Sequence, residues 1–314
     1  MVIVFDVGYT AKPWSESDMD RYGLGGTEKC VALIAREFSN AGHEVYVVGQ
    51  IHENNPEDSP RYVRYENLSV IPNDIDVLVG VNYIHYLAYF RDYNVKTNYF
   101  WIHNLEFYPW YNGEELDPNV YHLNHRSIDK VVALTEWHKE AISSRFNVDL
   151  SRILVIPNPV NTDAFVPYDH SKKIKHSFIY TSHAERGLTN VIEEWPSILE
   201  SLPDATLHIA SPSYGMDYFN DHFLHSVLPL PNTTFYGSLG QQQLYSLMAK
   251  CQIWYYPSDY EETFCLTAVE MLGHGVIPVT RMTASLQNVL EGKNVSTWQE
   301  AVKIAEQWKK TQVK

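Results

Sequence analysis

The feature that most constrains this chain is a break in the middle of a repeating pattern. Strand-like and helix-like runs alternate from Val2 to Ile156, stop at Pro157-Asn158-Pro159, and resume at His176. In the first series Val2–Val7, Glu44–Gly49, Asp76–Val81, Thr97–Ile102, Lys130–Leu134 and Ile153–Ile156 read as strands. Thr27–Asn40 and Glu136–Phe146 read as helices, and Val31, Ile34, Ala35 and Phe38 recur at helical spacing in the first. In the second series the expected strands are His176–Tyr180, Thr206–Ala210, Thr233–Tyr236, Ile253–Tyr256 and Val276–Thr280. The expected helices are Leu188–Ser201, Gln241–Ala249, Thr263–His274 and Trp298–Lys310. Alternation of this kind predicts parallel α/β architecture. The polar, proline-punctuated stretch between the series predicts a linker. The expectation is therefore an α/β fold of two Rossmann-like domains, 1–157 and 176–296, joined by a linker at 158–175. A ligand cleft is expected between them, and a final segment, 297–314, holds the last amphipathic helix.

Length and charge narrow the function. A chain of 314 residues, 45% apolar and 20% charged, can bury two cores and is not disordered. Its formal net charge of -14 argues against nucleic acid or an anionic membrane as partner. Any phosphate site must then be built locally, from helix N-termini and a few basic side chains. The three cysteines, Cys30, Cys251 and Cys265, are widely spaced in apolar contexts, which predicts reduced, buried thiols and a cytoplasmic protein. The N-terminus lacks the basic region and long apolar core of a signal peptide and reads as a buried strand ending in a glycine turn. No run approaches the roughly 18 apolar residues of a membrane span.

The strongest chemical signal is Glu262-Thr263-Phe264-Cys265-Leu266-Thr267-Ala268-Val269-Glu270, followed by the glycine-punctuated run Met271–Val279. On one helix, carboxylates eight residues apart sit roughly 80° apart and about two turns along the axis, so both can face one cleft. The helix start suits a diphosphate. An acidic helix start beside an ordinary surface glutamate is the plainer alternative. Arg186 precedes another helix and offers a cation for a leaving diphosphate; a surface ion pair is its plainer role. Gly25-Gly26 lies before the first helix, where backbone N–H groups can approach a ligand without a Cβ clash, or where the chain merely turns. His103 follows a strand end, the edge that lines crevices in open α/β sheets. Phe107, Tyr108, Trp110 and Tyr111 beyond it could stack on sugar rings or pack on the core. Asp18-Met19-Asp20 and Asp74-Ile75-Asp76 have the DxD spacing that can hold a divalent metal. The first reads better as a polar loop and the second as a turn before a strand, so no metal is expected.

These residues carry a family resemblance. Glu-x7-Glu ending in Gly-x-x-Pro-Val resembles the donor-site signature of family 4 glycosyltransferases, retaining enzymes of the GT-B fold. Ile253–Ser258, Ile156–Phe165, Gly25-Gly26-Thr27-Glu28 and Val131–Thr135 match in the same order, and Tyr180–Leu188 resembles a subgroup with an RGL motif. The resemblance implies two facing Rossmann-like domains and transfer of a hexose from a nucleoside-diphosphate sugar to a hydroxyl of a glycan or another acceptor. It implies that Glu262 holds the donor sugar, Glu270 the ribose, Arg186 the diphosphate, and that His103 approaches the transferred sugar. Gly25, Gly26, Ser182, Tyr236, Thr263, Phe264, Cys265 and Leu266 complete the implied donor contacts, with no cofactor or metal. It also implies a C-terminal helix that crosses back to the first domain. The chain departs from the family pattern in two places. Thr181 or Ser182 stands where an arginine is usual, and Arg281–Leu286 replaces a GG-x-x-E stretch. A nucleotide-sugar epimerase on the same fold and a non-catalytic nucleotide-sugar-binding protein are the alternatives. Nucleobase, sugar and oligomeric state are not encoded legibly; the loops 211–215 and 236–239 are expected to set the first two.

Overall fold

A computed structural model describes residues 1–10, 12–111, 114–211 and 230–310. The chain divides into two compact units, one of Met1–Asp18 with Leu24–Pro159 and one of Met19–Gly23 with Val160–Lys314.

The first unit is built on a parallel sheet in the order β3-β2-β1-β4-β5-β8-β9. Its strands are β1 (Val2–Asp6), β2 (Glu44–Val48), β3 (Arg61–Val63), β4 (Asp74–Val81), β5 (Asn94–Trp101), β8 (Lys130–Ala133) and β9 (Ile153–Val155). The short antiparallel pair β6 (Trp110–Tyr111) and β7 (Glu114–Glu115) lies apart from it. Val4, Leu78, Phe100 and Val131 are almost wholly buried, as expected where helices cover a parallel sheet. Its helices are α2 (Gly26–Asn40), α3 (Tyr86–Tyr89) and α4 (Glu136–Phe146), while α1 (Asp18–Arg21) falls at the division, with Met19–Arg21 in the second unit. Thr135 caps α4 by accepting from the His138 amide. The short elements β3, α1 and α3 carry too few residues for a periodic signal.

The second unit has a parallel sheet in the order β12-β11-β10-β13-β14. These are β10 (Ser177–Thr181), β11 (Thr206–Ala210), β12 (Thr233–Phe235), β13 (Ile253–Tyr256) and β14 (Ile277–Thr280). Its described helices are α5 (Leu188–Ser201), α6 (Gln241–Lys250), α7 (Leu266–Gly273), α8 (Leu286–Val289) and α9 (Trp298–Lys310). The two-domain α/β expectation thus holds, and most strand and helix bounds agree within one to three residues.

Four expectations change. Asp18-Met19-Asp20, read as a polar loop, forms most of the short helix α1. The stretch 158–175, read as a linker, packs on the second unit from Val160 onward. The Phe165 ring lies 5.3 Å from Tyr245 and 4.8 Å from His274. The C-terminal helix, expected to cross to the first domain, lies on its own unit's sheet, with Ala301, Val302 and Ala305 buried in that core. Asp74-Ile75-Asp76 is the start of β4 rather than a turn, and Asp76 accepts from the Val2 amide at 2.8 Å and from Lys96 at 2.5 Å.

Lys173 ties this packing together. Its buried ammonium donates to four carbonyls, those of Met248 (3.3 Å), Ala249 (3.1 Å), Cys251 (2.7 Å) and His274 (2.8 Å). It thereby satisfies the orphan carbonyls at the ends of α6 and α7. Lys173→Met keeps the aliphatic stem and strips these carbonyls of their donor. It should destabilise the protein by about 3 kcal/mol in urea denaturation.

In the first unit, burial pushes Asp6 up to about 7, against the opposing hydrogen bond from Tyr65. Burial pushes His103 down to about 3, helped by His138, and His138 itself down to about 4. The two histidines stay neutral on folding but protonate in the unfolded chain, so they lower stability as pH falls from about 6.5 toward 4. Asp6 holds its proton in the folded state over that range and opposes them. Asp6→Asn removes the opposition. The stability of this variant should fall on acidification more steeply than wild type by about 1.4 kcal/mol per pH unit, read from urea midpoints at several pH values.

Candidate functional site

In the second sheet the chain runs outward from β10 to β11 and β12, then returns through α6 to β13 on the other side of β10. The strand order reverses between β10 and β13. Loops leaving the carboxyl ends of strands at such a point splay apart and leave a crevice for a ligand. The loop after β10 carries Ser182–Gly187, and the loop after β13 carries Pro257–Cys265.

Gly187 brings these loops together. It caps α5 with φ +95°, and a Cβ there would stand 3.0 Å from both Cα and Cβ of Ser258. Asn190 adds a second tie by donating to the Pro257 carbonyl at 2.6 Å. The approach places Arg186 Nη1 3.4 Å from Glu262 Oε1. The guanidinium also lies over the Tyr260 ring, 4.3 Å from its centroid. Glu262 is buried, and the Tyr256 hydroxyl donates to its Oε1 at 2.7 Å. The loop is closed from below by the Ser285 amide, which donates to the Glu262 carbonyl at 3.1 Å.

The helical reading of Glu262 and Glu270 needs correction. Cys265 adopts a left-handed conformation at φ +67°, so α7 begins at Leu266 and Thr263, Phe264 and Cys265 lie outside it. Glu262 is therefore on the loop and shares no helix face with Glu270. Glu270 is on α7, buried, and accepts from Tyr245 of α6 at 2.8 Å. Both glutamates and Arg186 act on the Cys265 thiol, whose ionisation is pushed well up by burial first and by Glu262 next. The structure thus pairs Arg186 with Glu262 across adjoining loops and holds Glu270 on α7 against Tyr245, so no single helix joins the two glutamates. Of the other predicted contacts, Thr263 and Leu266 are half-buried and Phe264 is buried. Ser182 is half-buried directly after β10. Tyr236 follows β12, and its hydroxyl meets His208 Nδ1 at 2.9 Å.

Sequence reasoning missed Tyr245, Tyr256 and Tyr260. Tyr245 and Tyr256 read as core residues of a helix and a strand, and nothing in their local pattern marks the carboxylate each one holds. Two hydroxyls at neighbouring strand ends, Thr181 Oγ1 and Ser211 Oγ, are buried with no hydrogen-bond partner among the described residues. Residues 212–215 of the loop expected to set sugar preference lie outside the described residues.

Of the first unit's candidates, His103 lies just beyond a strand end and Gly25-Gly26 at a helix start. Gly25 caps α2 and Gly26 begins it; neither needs a positive φ, but a Cβ on Gly25 would stand 2.3 Å from Glu28 Oε2. His103 is buried two residues beyond β5, and its amide donates to Asn82 Oδ1 at 2.7 Å. Phe107 packs against the core, whereas Tyr108 is 37% exposed. The Trp110 and Tyr111 side chains lie outside the description. Asp18 accepts from the Ser15 amide and hydroxyl. Among the described residues no group of three His, Cys, Asp or Glu is placed to hold a metal ion, and no helix is long and apolar enough to cross a membrane.

Residues 175–309 match the family Glycosyl transferases group 1. A search of curated protein sequences finds no match. Among solved structures, a glycosyltransferase from Rickettsia africae ESF-5 superposes with a TM-score of 0.67 at 13% identity, over 98% of this chain and 87% of that one. HepE from Anabaena, in complex with UDP, gives 0.65 at 15% identity over 99% and 91%. Sucrose-phosphate synthase from Thermosynechococcus elongatus gives 0.62 at 14% identity over 98% and 89%. Residues 175–309 therefore carry the sequence pattern of the group 1 glycosyl transferases, and the whole chain has the fold of GT-B glycosyltransferases, two parallel-sheet Rossmann-like units.

Proposed function

We propose that this chain is a retaining glycosyltransferase that moves a hexose from a nucleoside-diphosphate sugar to a hydroxyl of a glycan or similar acceptor. The observation that carries the reading is the Arg186–Glu262 pair at the strand-order reversal of the unit that matches the family. HepE, of the same fold, is solved with UDP and with UDP-glucose, which supports a uridine donor here.

In this reading the diphosphate meets Arg186 and the amides that open α7 at Leu266. Glu262 accepts from hydroxyls of the donor sugar, and Glu270 accepts from the ribose. Tyr256 and Tyr245 keep those two carboxylates in place. Arg186 stabilises the charge that builds on the departing diphosphate, the moment at which fixed charge contributes most. His103, kept neutral by burial, can donate to or accept from a hydroxyl. Retention of configuration follows from the resemblance, and a cytoplasmic setting from the widely spaced, unpaired cysteines. No step is assigned to a metal, because a cation and helix amides already serve the diphosphate.

A thermal-shift screen of UDP-, GDP-, ADP- and dTDP-sugars should single out one nucleotide, with the uridine donor expected. Arg186→Ala and Glu262→Ala should each lower the transfer rate by about 10²–10³, measured by product formation with the selected donor. Unchanged rates in both would refute the site. Transfer should persist in EDTA. Conversion of the donor sugar with no acceptor present would identify an epimerase, and binding without turnover over an acceptor panel would identify a binding protein. Tyr256→Phe and Tyr245→Phe should weaken donor binding several-fold and cost about 1 kcal/mol of stability each, since each removes one hydrogen bond to a buried carboxylate.

A further inference from the structure

A cavity of about 300 Å³ lies in the first unit, between α3 with the turn after it, β5, and residues 126–129 that lead into β8. That volume is at the low end of the range for small-molecule sites. The cavity is set apart from the strand ends described above. Lys96 and Asn98 line it from β5, five and three residues before Trp101, and so about 16 and 10 Å short of the carboxyl end of that strand. Its floor is apolar, with Leu78, Leu87 and Phe90 all buried. Tyr93 closes one side, its ring 5.1 Å from that of Phe90 and its hydroxyl donating to the Leu68 carbonyl at 3.0 Å.

The rim has the opposite character. Arg91, Lys96 and Arg126 stand around it against a single carboxylate, Asp129, whose Oδ2 already accepts from the Asn98 amide at 2.7 Å. In a chain with a formal net charge of -14, these cations reverse the local sign. Arg91 pairs with Asp92 at 3.3 Å and Lys96 with Asp76 at 2.5 Å, but neither of those carboxylates lines the cavity. Ion pairs on exposed side chains contribute little and exchange readily. Arg126 is exposed and forms no hydrogen bond or ion pair among the described residues. Asn98 is buried, and its Oδ1 is occupied by the Tyr86 hydroxyl at 2.7 Å. Its Nδ2 has no hydrogen-bond partner among the described residues, so a donor is left for a ligand.

We propose that this cavity binds a phosphate monoester with a compact hydrocarbon or aryl body. Arg126 anchors the phosphate, Lys96 and Arg91 share its charge, and Asn98 Nδ2 donates to one of its oxygens. Leu78, Leu87 and Phe90 take the body. The three cations and the Asp129 carboxylate leave an excess of two positive charges in the lining. That matches the near-dianion of a phosphate monoester rather than the single charge of a carboxylate. A bare ion would have no use for the floor, and a sugar phosphate would set hydroxyls against leucine and phenylalanine. A nucleic acid would need a basic stripe, which the charge of the whole chain opposes. The site stands independently of the transferase reading.

The test is calorimetric titration of the full chain with phenyl phosphate, with inorganic phosphate, benzoate and phenol as comparators. Phenyl phosphate should bind. Each comparator should bind roughly tenfold more weakly or worse, because it lacks the body, the second charge or the anion. Arg126→Ala should weaken phenyl phosphate roughly tenfold, and Lys96→Ala and Arg91→Ala several-fold, with urea midpoints unchanged because all three side chains are exposed. Asp129→Asn removes the opposing charge and should tighten binding several-fold, a gain that a general loss of structure would not give. Arg186→Ala, in the second unit, should leave phenyl phosphate affinity unchanged. No binding of phenyl phosphate, binding untouched by Arg126→Ala, or inorganic phosphate bound as tightly, an adventitious ion only, would each overturn the proposal. Loss of binding in Arg186→Ala would also overturn it, by moving the ligand to the diphosphate site.

Discussion

The site in the second unit depends on one close approach, that of the Gly187 backbone to Ser258. Two loops leaving neighbouring parallel strands tend to part. Here they meet because residue 187 has no side chain and sits at a φ that other residues resist. Once they meet, Arg186 lies within reach of Glu262 and over Tyr260. The cation is then held by a carboxylate and an aromatic face, so its position is set before any ligand arrives. A preset charge needs no rearrangement as the reaction proceeds, and this is the condition under which electrostatic stabilisation is most effective.

Both units hold buried carboxyl groups with phenols. Tyr256 serves Glu262, Tyr245 serves Glu270 and Tyr65 serves Asp6. Burial, and then the neighbouring carboxylate, makes each phenol harder to ionise, so it remains a donor. A phenol fixes a carboxylate without neutralising it, and it is stiffer than a lysine in that role. A chain with 22 tyrosines and a formal charge of -14 can therefore place acidic groups inside without matching each to a cation.

Hydropathy alternation was enough to find the two parallel sheets, since fully buried strands such as Ile253–Tyr256 leave continuous apolar runs. The motifs marked Arg186 after a strand, and Glu262 at what read as a helix start. The reading failed where one backbone angle changes sign. Thr263, Phe264 and Cys265 look like the first turn of α7, yet Cys265 is left-handed, and no residue-type signal announces that at a cysteine. The tyrosine partners were hidden for another reason. A hydrogen bond between residues on different elements, such as Tyr245 on α6 and Glu270 on α7, leaves no trace in local periodicity. The stretch after Pro159 was misread because it is polar, although its few large residues, Phe165 among them, pack on the second unit.

The ammonium of Lys173 bears on how the chain can be dissected. It sits two residues before the family match begins at residue 175, yet it supplies the donor for four carbonyls inside that region. A fragment cut at the homology boundary would leave those helix ends open, whereas one cut at Val160 would retain them. The physical border of the second unit lies upstream of the border that sequence similarity draws.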